Sequence, residues 1–427
     1  MTIQEQATDN VRQTQTNRQT DLVTTIAPGI SATADSPRLQ GILDYSPQIV
    51  RNLNATDQNR TDHTGFATGV ATIVPDHIFL STIGSISEQS AAGGQNLTTT
   101  GSIPTNQRTQ AIAYTVSPRV QYGLTDLLGM EADYSFAQNI FQNQSGSSTS
   151  SLGTSNVTNS TDQAGHVQID TTSNAGPFYS KLSGDVLDES VSSSIISSRR
   201  IYATSHNEYA VVRPVALIGE IGYERLTFPR ASQLDLSEPA WAVGARWRPN
   251  LNDWLLVTYG QRDGIYGFTG SLRYQVTPIT FFTASYFETL SSLQQIIQQN
   301  LTTIGQNVQR DPTSTGQDVF GNVFDPTTQL PIFINNPNLS LRNDIFRDAQ
   351  GLATVAVSQD RDTFAGTLFY ERRHSQLGLT QNDETIGGTR SWTHAVTDRL
   401  KSYAIGGYAI RHVDIQTLAT GTMGLSY

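Results

Sequence analysis

Arg119, Glu131, Asp133, Glu220, Glu224, Arg246, Arg248, Arg262 and Arg273 all fall on the polar side of an alternating pattern whose other side is aromatic or aliphatic. Charges in that setting suit a wet interior. Two kinds of chemistry are open to them: rings that select passing solutes by charge, or ion pairs between neighbouring strands that fill the interior. Catalysis finds no comparable support. The seven histidines (63, 77, 166, 206, 374, 394 and 412) are dispersed, with no pair at metal-ligand spacing. No G-x-S-x-G elbow marks a nucleophile. Asp311, Asp318 and Asp325 do not match the spacing of a calcium loop. The absence of cysteine removes thiol catalysis and cysteine metal sites together. The expectation is therefore no enzyme, no metal and no cofactor.

The elements that position these charges are long strands. From 111 to 124, Ile112, Tyr114, Val116, Pro118, Val120, Tyr122 and Leu124 alternate with Ala111, Ala113, Thr115, Ser117, Arg119, Gln121 and Gly123. A period of two puts the two sets on opposite faces. At about 3.3 Å per residue and a tilt near 40°, such a segment rises roughly 35 Å, enough for the apolar band of a bilayer and its interfaces. Leu128, Met130, Ala132, Tyr134 and Phe136 repeat the pattern against Gly129, Glu131, Asp133 and Ser135, which makes a hairpin across Thr125-Asp126-Leu127. Trp241 to Arg248 and Tyr266 to Val276 read the same way. Placing the polar set in a dry core would strand several ionised groups at several kcal/mol each.

Composition agrees. Hydrophobic residues are 37% of 427, and no apolar run is long enough for a membrane helix. A barrel hides its apolar residues from such a scan, because every second residue is polar. Lys+Arg 27 against Asp+Glu 37 gives a net charge of −10, which argues against nucleic acid as a partner.

Turns and loops alternate in length. Short turns such as Pro75-Asp76-His77, Arg213-Pro214 and Thr277-Pro278 separate longer connections at 54 to 62, 91 to 108, 140 to 163, 229 to 239, 291 to 345 and 375 to 384. This asymmetry suits short periplasmic turns and long outer loops. About nineteen strands can be counted from Leu22 to Tyr427, whereas bacterial barrels have even numbers. Residues 2 to 12, within an N-terminal segment 1 to 20, are therefore read as the remnant of a further strand. The start lacks a basic segment followed by an apolar run, so no secretory signal is visible. Ala419, Gly421, Met423, Leu425 and Tyr427 alternate up to a terminal aromatic, as a closing strand does. Tyr45, Tyr122, Tyr134, Tyr223, Trp247 and Tyr274 stand in outward register as an interface girdle.

In the connection 291 to 345, Leu290, Leu293, Ile296, Ile297, Leu301 and Ile304 recur at three and four, a helical spacing foreign to the strands. Its apolar face needs cover. The segment either folds inward and constricts the lumen or packs on the outer rim.

The stretch Asp21 to Pro47, then Val74-Pro75-Asp76-His77-Ile78-Phe79-Leu80 and Tyr114-Thr115-Val116-Ser117-Pro118, resembles the outer-membrane β-barrel family associated with the PEP-CTERM/exosortase system. Thr8-Asp9-Asn10-Val11 looks like the end of that family's first strand. The resemblance implies a barrel without catalytic content and a role in export of exopolysaccharide or related envelope components. It also implies periplasmic export proteins and polysaccharide as partners, besides outer-membrane lipid.

The sequence thus predicts an all-β chain: a single transmembrane antiparallel up-and-down β-barrel of about 18–20 strands over 21 to 427, in a Gram-negative outer membrane. Its function would be an aqueous pore for export. The alternatives are a general porin and a non-conducting structural or docking barrel. An extracellular adhesin or solenoid would need a constant internal repeat, and none is found.

Overall fold

The structure, a computed structural model, describes all residues except 1, 9–10, 12–18, 91–107, 144–156, 173–175, 193–195, 251, 311–340, 379–381, 398–399, 413–415 and 427. Asp311, Asp318, Asp325 and Tyr427 lie outside the described residues, as does most of the long connection.

The chain begins with β1 (Thr2–Thr8), β2 (Asp21–Ala27), β3 (Ile30–Asp35), β4 (Leu39–Asn52), β5 (Arg60–Val74), β6 (Ile78–Ser90) and β7 (Arg108–Gly123). Next come β8 (Leu128–Asn143), β9 (Ser160–Thr171), β10 (Phe178–Val191), β11 (Ser198–Val212), β12 (Val215–Thr227), β13 (Leu236–Trp247) and β14 (Trp254–Arg262). After β15 (Ile265–Thr277) and β16 (Thr280–Ser292), the helix α1 (Leu293–Arg310) interrupts the series. It resumes with β17 (Ile345–Gln359), β18 (Asp362–Ser375), β19 (Asp383–Ala395), β20 (Lys401–Arg411) and β21 (Gln416–Ser426).

Every pairing is antiparallel and links sequence neighbours, with one exception: β2 and β3 both lie along β4. Val23 to Ile26 pair with Ile49 to Asn52, and Ile30 to Asp35 pair with Gln40 to Tyr45. Pro28-Gly29 therefore breaks one strand into two segments, since proline has no N–H for the ladder. Among the described residues the 21 segments then make 20 staves, an even number. Thr2 to Thr8 pair with Ala27 to Asp21, so the first stave runs antiparallel to the second from within the segment read as a strand remnant.

The two faces have opposite composition. Ile221, Phe268 and Leu368 are among the large apolar side chains that point outward, with 67%, 60% and 68% of their surface exposed. Leu182, Leu217, Val243, Tyr266, Val355, Ile386 and Tyr408 are outward and exposed as well. A belt of this extent far exceeds the few hundred Å² of apolar patch that soluble proteins tolerate. Facing lipid, it costs nothing.

The girdle residues Tyr45, Tyr122, Tyr134, Tyr223, Trp247 and Tyr274 share that outward register. At the short-turn end Trp247 stacks on Tyr274, Tyr122 leans on His77, and Trp392 stacks between Phe364 and His394. The Trp392 indole N–H donates to Asp362 Oδ1 at 2.8 Å, and His394 Nδ1 lies 3.0 Å from the same oxygen. Rings with one polar edge satisfied suit the boundary between hydrocarbon and water.

The alternation of short turns and long loops fails most clearly between β14 and β15. β14 and β15 meet at the loop end through Asp263-Gly264 alone, with φ of 55° and 69°. Two successive positive φ values make the tight hairpin turn for which Asp-Gly is favoured. Nearby, the neighbouring strands β13 and β14 approach closely: a Cβ at Gly260 would sit 2.1 Å from the Trp241 carbonyl oxygen.

Candidate functional site

The interior is organised around α1. Ser292 and Gln295 form a capping box: the Ser292 hydroxyl accepts the Gln295 N–H at 3.1 Å, and Gln295 Oε1 accepts the Ser292 N–H at 3.4 Å. Leu290, expected in the helical stripe, instead lies in β16, which runs to Ser292, because the cap starts the helix at Leu293. The side chain of Ile304 lies outside the described residues. Leu293, Ile296, Ile297 and Leu301 are fully buried. Leu293, Ile297 and Leu301 pack on Ile42, Phe66, Ala111, Ala113 and Phe141, side chains that the register of β4 to β8 turns inward. Each such burial contributes about 1.5–3 kcal/mol. The helix therefore lies inside the barrel, not on its rim.

Amides on the other helix faces tie it down. Gln298 Nε2 donates to Asn139 Oδ1 at 2.9 Å, and Thr115 donates to Gln298 Oε1 at 2.7 Å. Thr115 is seven residues below the loop end of β7, so the helix reaches well into the lumen. Glu189, buried on β10, accepts Gln295 Nε2 at 2.9 Å and the hydroxyls of Ser198 and Ser292. A carboxylate beside a helix N-terminus is favoured by the exposed N–H groups and the dipole there. Arg200 on β11 donates to the Leu290 carbonyl at 2.7 Å and reaches Asp263 Oδ1 at 3.2 Å. Glu224 accepts the N–H groups of Asp263 and Gly264 at 2.9 and 3.3 Å.

The charged residues singled out from sequence are placed as follows. Arg119, Glu131, Asp133, Glu220, Glu224, Arg246, Arg262 and Arg273 face the interior. Arg248 lies just past β13 in the short turn, where its N–H donates to the Pro214 carbonyl. The structure joins several through partners not anticipated. Glu220 accepts from the Tyr202 hydroxyl at 2.9 Å and lies 3.2 Å from His206, whose other ring nitrogen is 3.1 Å from Glu208. Arg246 closes that ladder on Glu208 at 2.6 Å. Glu131 accepts from Gln121 at 2.9 Å. Arg119, Arg262 and Arg273 lie over Phe79, Tyr202 and Phe281 at 5.1, 4.7 and 5.9 Å. Asp133 stands opposite His166, which contacts Asp185 at 2.5 Å. A second ionic cluster sits inside the loop end of β17 to β20, where Arg373 meets Glu371 at 2.6 Å and Arg411 meets Asp383 at 3.0 Å.

The interior thus holds a ladder of fixed pairs on β11 to β13 and, beside it, exposed guanidinium groups such as Arg273. Glu189, Arg200, His206 and Glu208 were not evident from sequence, although each obeys the period of two.

No family model matches this sequence, and no curated protein matches it. Solved structures do show a similar course of the chain. The FrpB iron transporter from Neisseria meningitidis (F3-3 variant) aligns with a TM-score of 0.48 and 10% identity, over 99% of this chain and 72% of that one. The siderophore receptor PiuA from Acinetobacter baumannii gives 0.46 and 9%, over 99% and 73%. The ferric-catecholate import receptor Fiu from E. coli K12 gives 0.45 and 8%, over 99% and 73%. Likeness at this level transfers neither a ligand nor a residue's role.

Proposed function

We propose that this chain is an outer-membrane β-barrel that gives hydrophilic solutes a passage narrowed by α1. One observation carries the reading: the apolar belt and the charged lining occupy opposite faces of the same strands, which separates oil from water around an interior. The cargo that the sequence resemblance favours is an exopolysaccharide or a related envelope component. The wall offers Arg273 over Phe281, a flat face beside fixed charge, and such a surface suits sugar rings. Transport would be passive, with the lining acting by charge and α1 by obstruction.

A second reading, a non-conducting docking barrel, is favoured by the burial inside the loop end, where Glu189 and Arg373 each have 1% of their surface exposed. Reconstitution of the full chain into planar bilayers separates the two. Discrete current steps are expected. A barrel that migrates as folded on unheated gels yet gives no steps at any voltage would leave the docking reading in possession.

A further inference from the structure

Between the polar face of α1 and the wall of β8 to β11 lies a cavity of about 410 Å³. Its lining mixes apolar surface, from Ala137, Ala164 and Leu187, with polar groups: Ser135, Asp162 and Arg200 on the wall, and Gln298, Gln299 and Thr302 on the helix. Two polar atoms there are unsatisfied. Asp162 Oδ1 and Arg200 Nε are buried without a hydrogen-bond partner, and Asp162 as a whole is 5% exposed. A buried donor or acceptor left unpaired costs about 1–3 kcal/mol, so native interiors leave few of them without a water or a ligand.

The chemistry of the missing partner can be read from the lining. Glu189 stands opposite Asp162 and is already engaged by α1, and Arg200 already reaches Asp263, so what the cavity leaves open is one acceptor, Asp162 Oδ1, and one donor, Arg200 Nε. Gln299 is solvent-exposed on the helix and Thr302 points from the same face, so the two sides present acceptors and donors across a gap. Vicinal hydroxyls, each at once donor and acceptor, answer that pattern, and Leu187 offers apolar contact to a C–H face. The volume falls within the range of small-molecule sites.

We infer that this cavity is a saccharide subsite, holding a short neutral sugar with Asp162 accepting from its hydroxyls and Arg200 and Gln299 donating to them. This deepens the proposed function by naming a station on the passage, and it rests on that reading for its biological sense. Its test does not require conduction. The full chain in detergent micelles is titrated calorimetrically with maltose, cellobiose and sucrose, with sodium galacturonate as an anionic probe. Saturable binding of at least one disaccharide is expected, weakened about tenfold or more in Asp162→Asn. Should Asp162→Asn fail to give the folded band on unheated gels, the double variant Gln299→Leu/Thr302→Val, on the exposed helix face, carries the same expectation. No saturable heat with any disaccharide would overturn the inference and leave water as the partner of Asp162 Oδ1. Galacturonate binding in preference to the neutral sugars, or undiminished binding by the folded variants, would overturn it too. A barrel that binds sugar without conducting would sink the passage and keep the subsite, and the reverse result would do the opposite.

Discussion

Unitary conductance is expected to rise by about twofold or more when Leu293, Ile297 and Leu301 are replaced together by aspartate, since a barrel of this size has a lumen wide enough for water once nothing fills it. The three side chains are buried against inward residues of β4 to β8. Placing carboxylates there costs several kcal/mol each unless they reach water. The helix can satisfy them only by leaving the wall. Its polar ties cannot hold it in compensation, because an intramolecular hydrogen bond nets only about 0.5–1.5 kcal/mol. Deleting residues 295 to 340 removes the same obstruction by a different route and is expected to give the same rise. By contrast, Glu189→Leu removes the carboxylate that accepts from Ser292 and Gln295 but keeps the apolar seat, so brief openings are expected on an otherwise unchanged current. If the triple variant and the deletion both conduct like the wild type, α1 does not narrow the path.

These expectations draw on features that differ in how far the sequence reveals them. The strands β7, β8, β13 and β15 are legible because bulky residues such as Tyr122, Tyr134, Trp247 and Tyr274 mark the outward face without interruption. Their inward charges follow by subtraction. On β10 and β11 the outward row includes Ser180, Ser205 and Asn207, which blurs the alternation, and so Glu189, Arg200 and His206 pass unnoticed. Pro28-Gly29 conceals a single stave as two short segments, because the ladder partner that unites them, β4, is distant in the reading. Helical spacing reveals α1, but spacing cannot say which wall receives its apolar face. That depends on Ile42, Phe66 and Phe141, three large inward apolar residues on strands whose inner face also carries Asp44, Asp62 and Asn139. The cavity is less legible still, since Asp162 and Gln299 meet only through the fold.

The division into oil-facing and water-facing rows makes the sharpest demand on single residues. Ile221, the middle residue of β12, is outward and 67% exposed, while its neighbour Glu220 carries a charge on the inner face. Ile221→Arg is expected to destabilise the barrel in lipid bilayers by about 2–4 kcal/mol, the cost of a cation near mid-depth. Thr269→Arg, on the inner face of β15 and exposed there, should lie within about 0.5 kcal/mol of the wild type, as surface changes usually do. Reversible unfolding by guanidinium in vesicles measures both, and the difference between them removes effects common to any added arginine. In a soluble protein of the same shape, water would bathe Ile221, and its replacement by arginine would be as mild as that of Thr269. Equal stabilities for the two variants would therefore mean that the apolar belt does not face lipid, and the passage would lose its membrane.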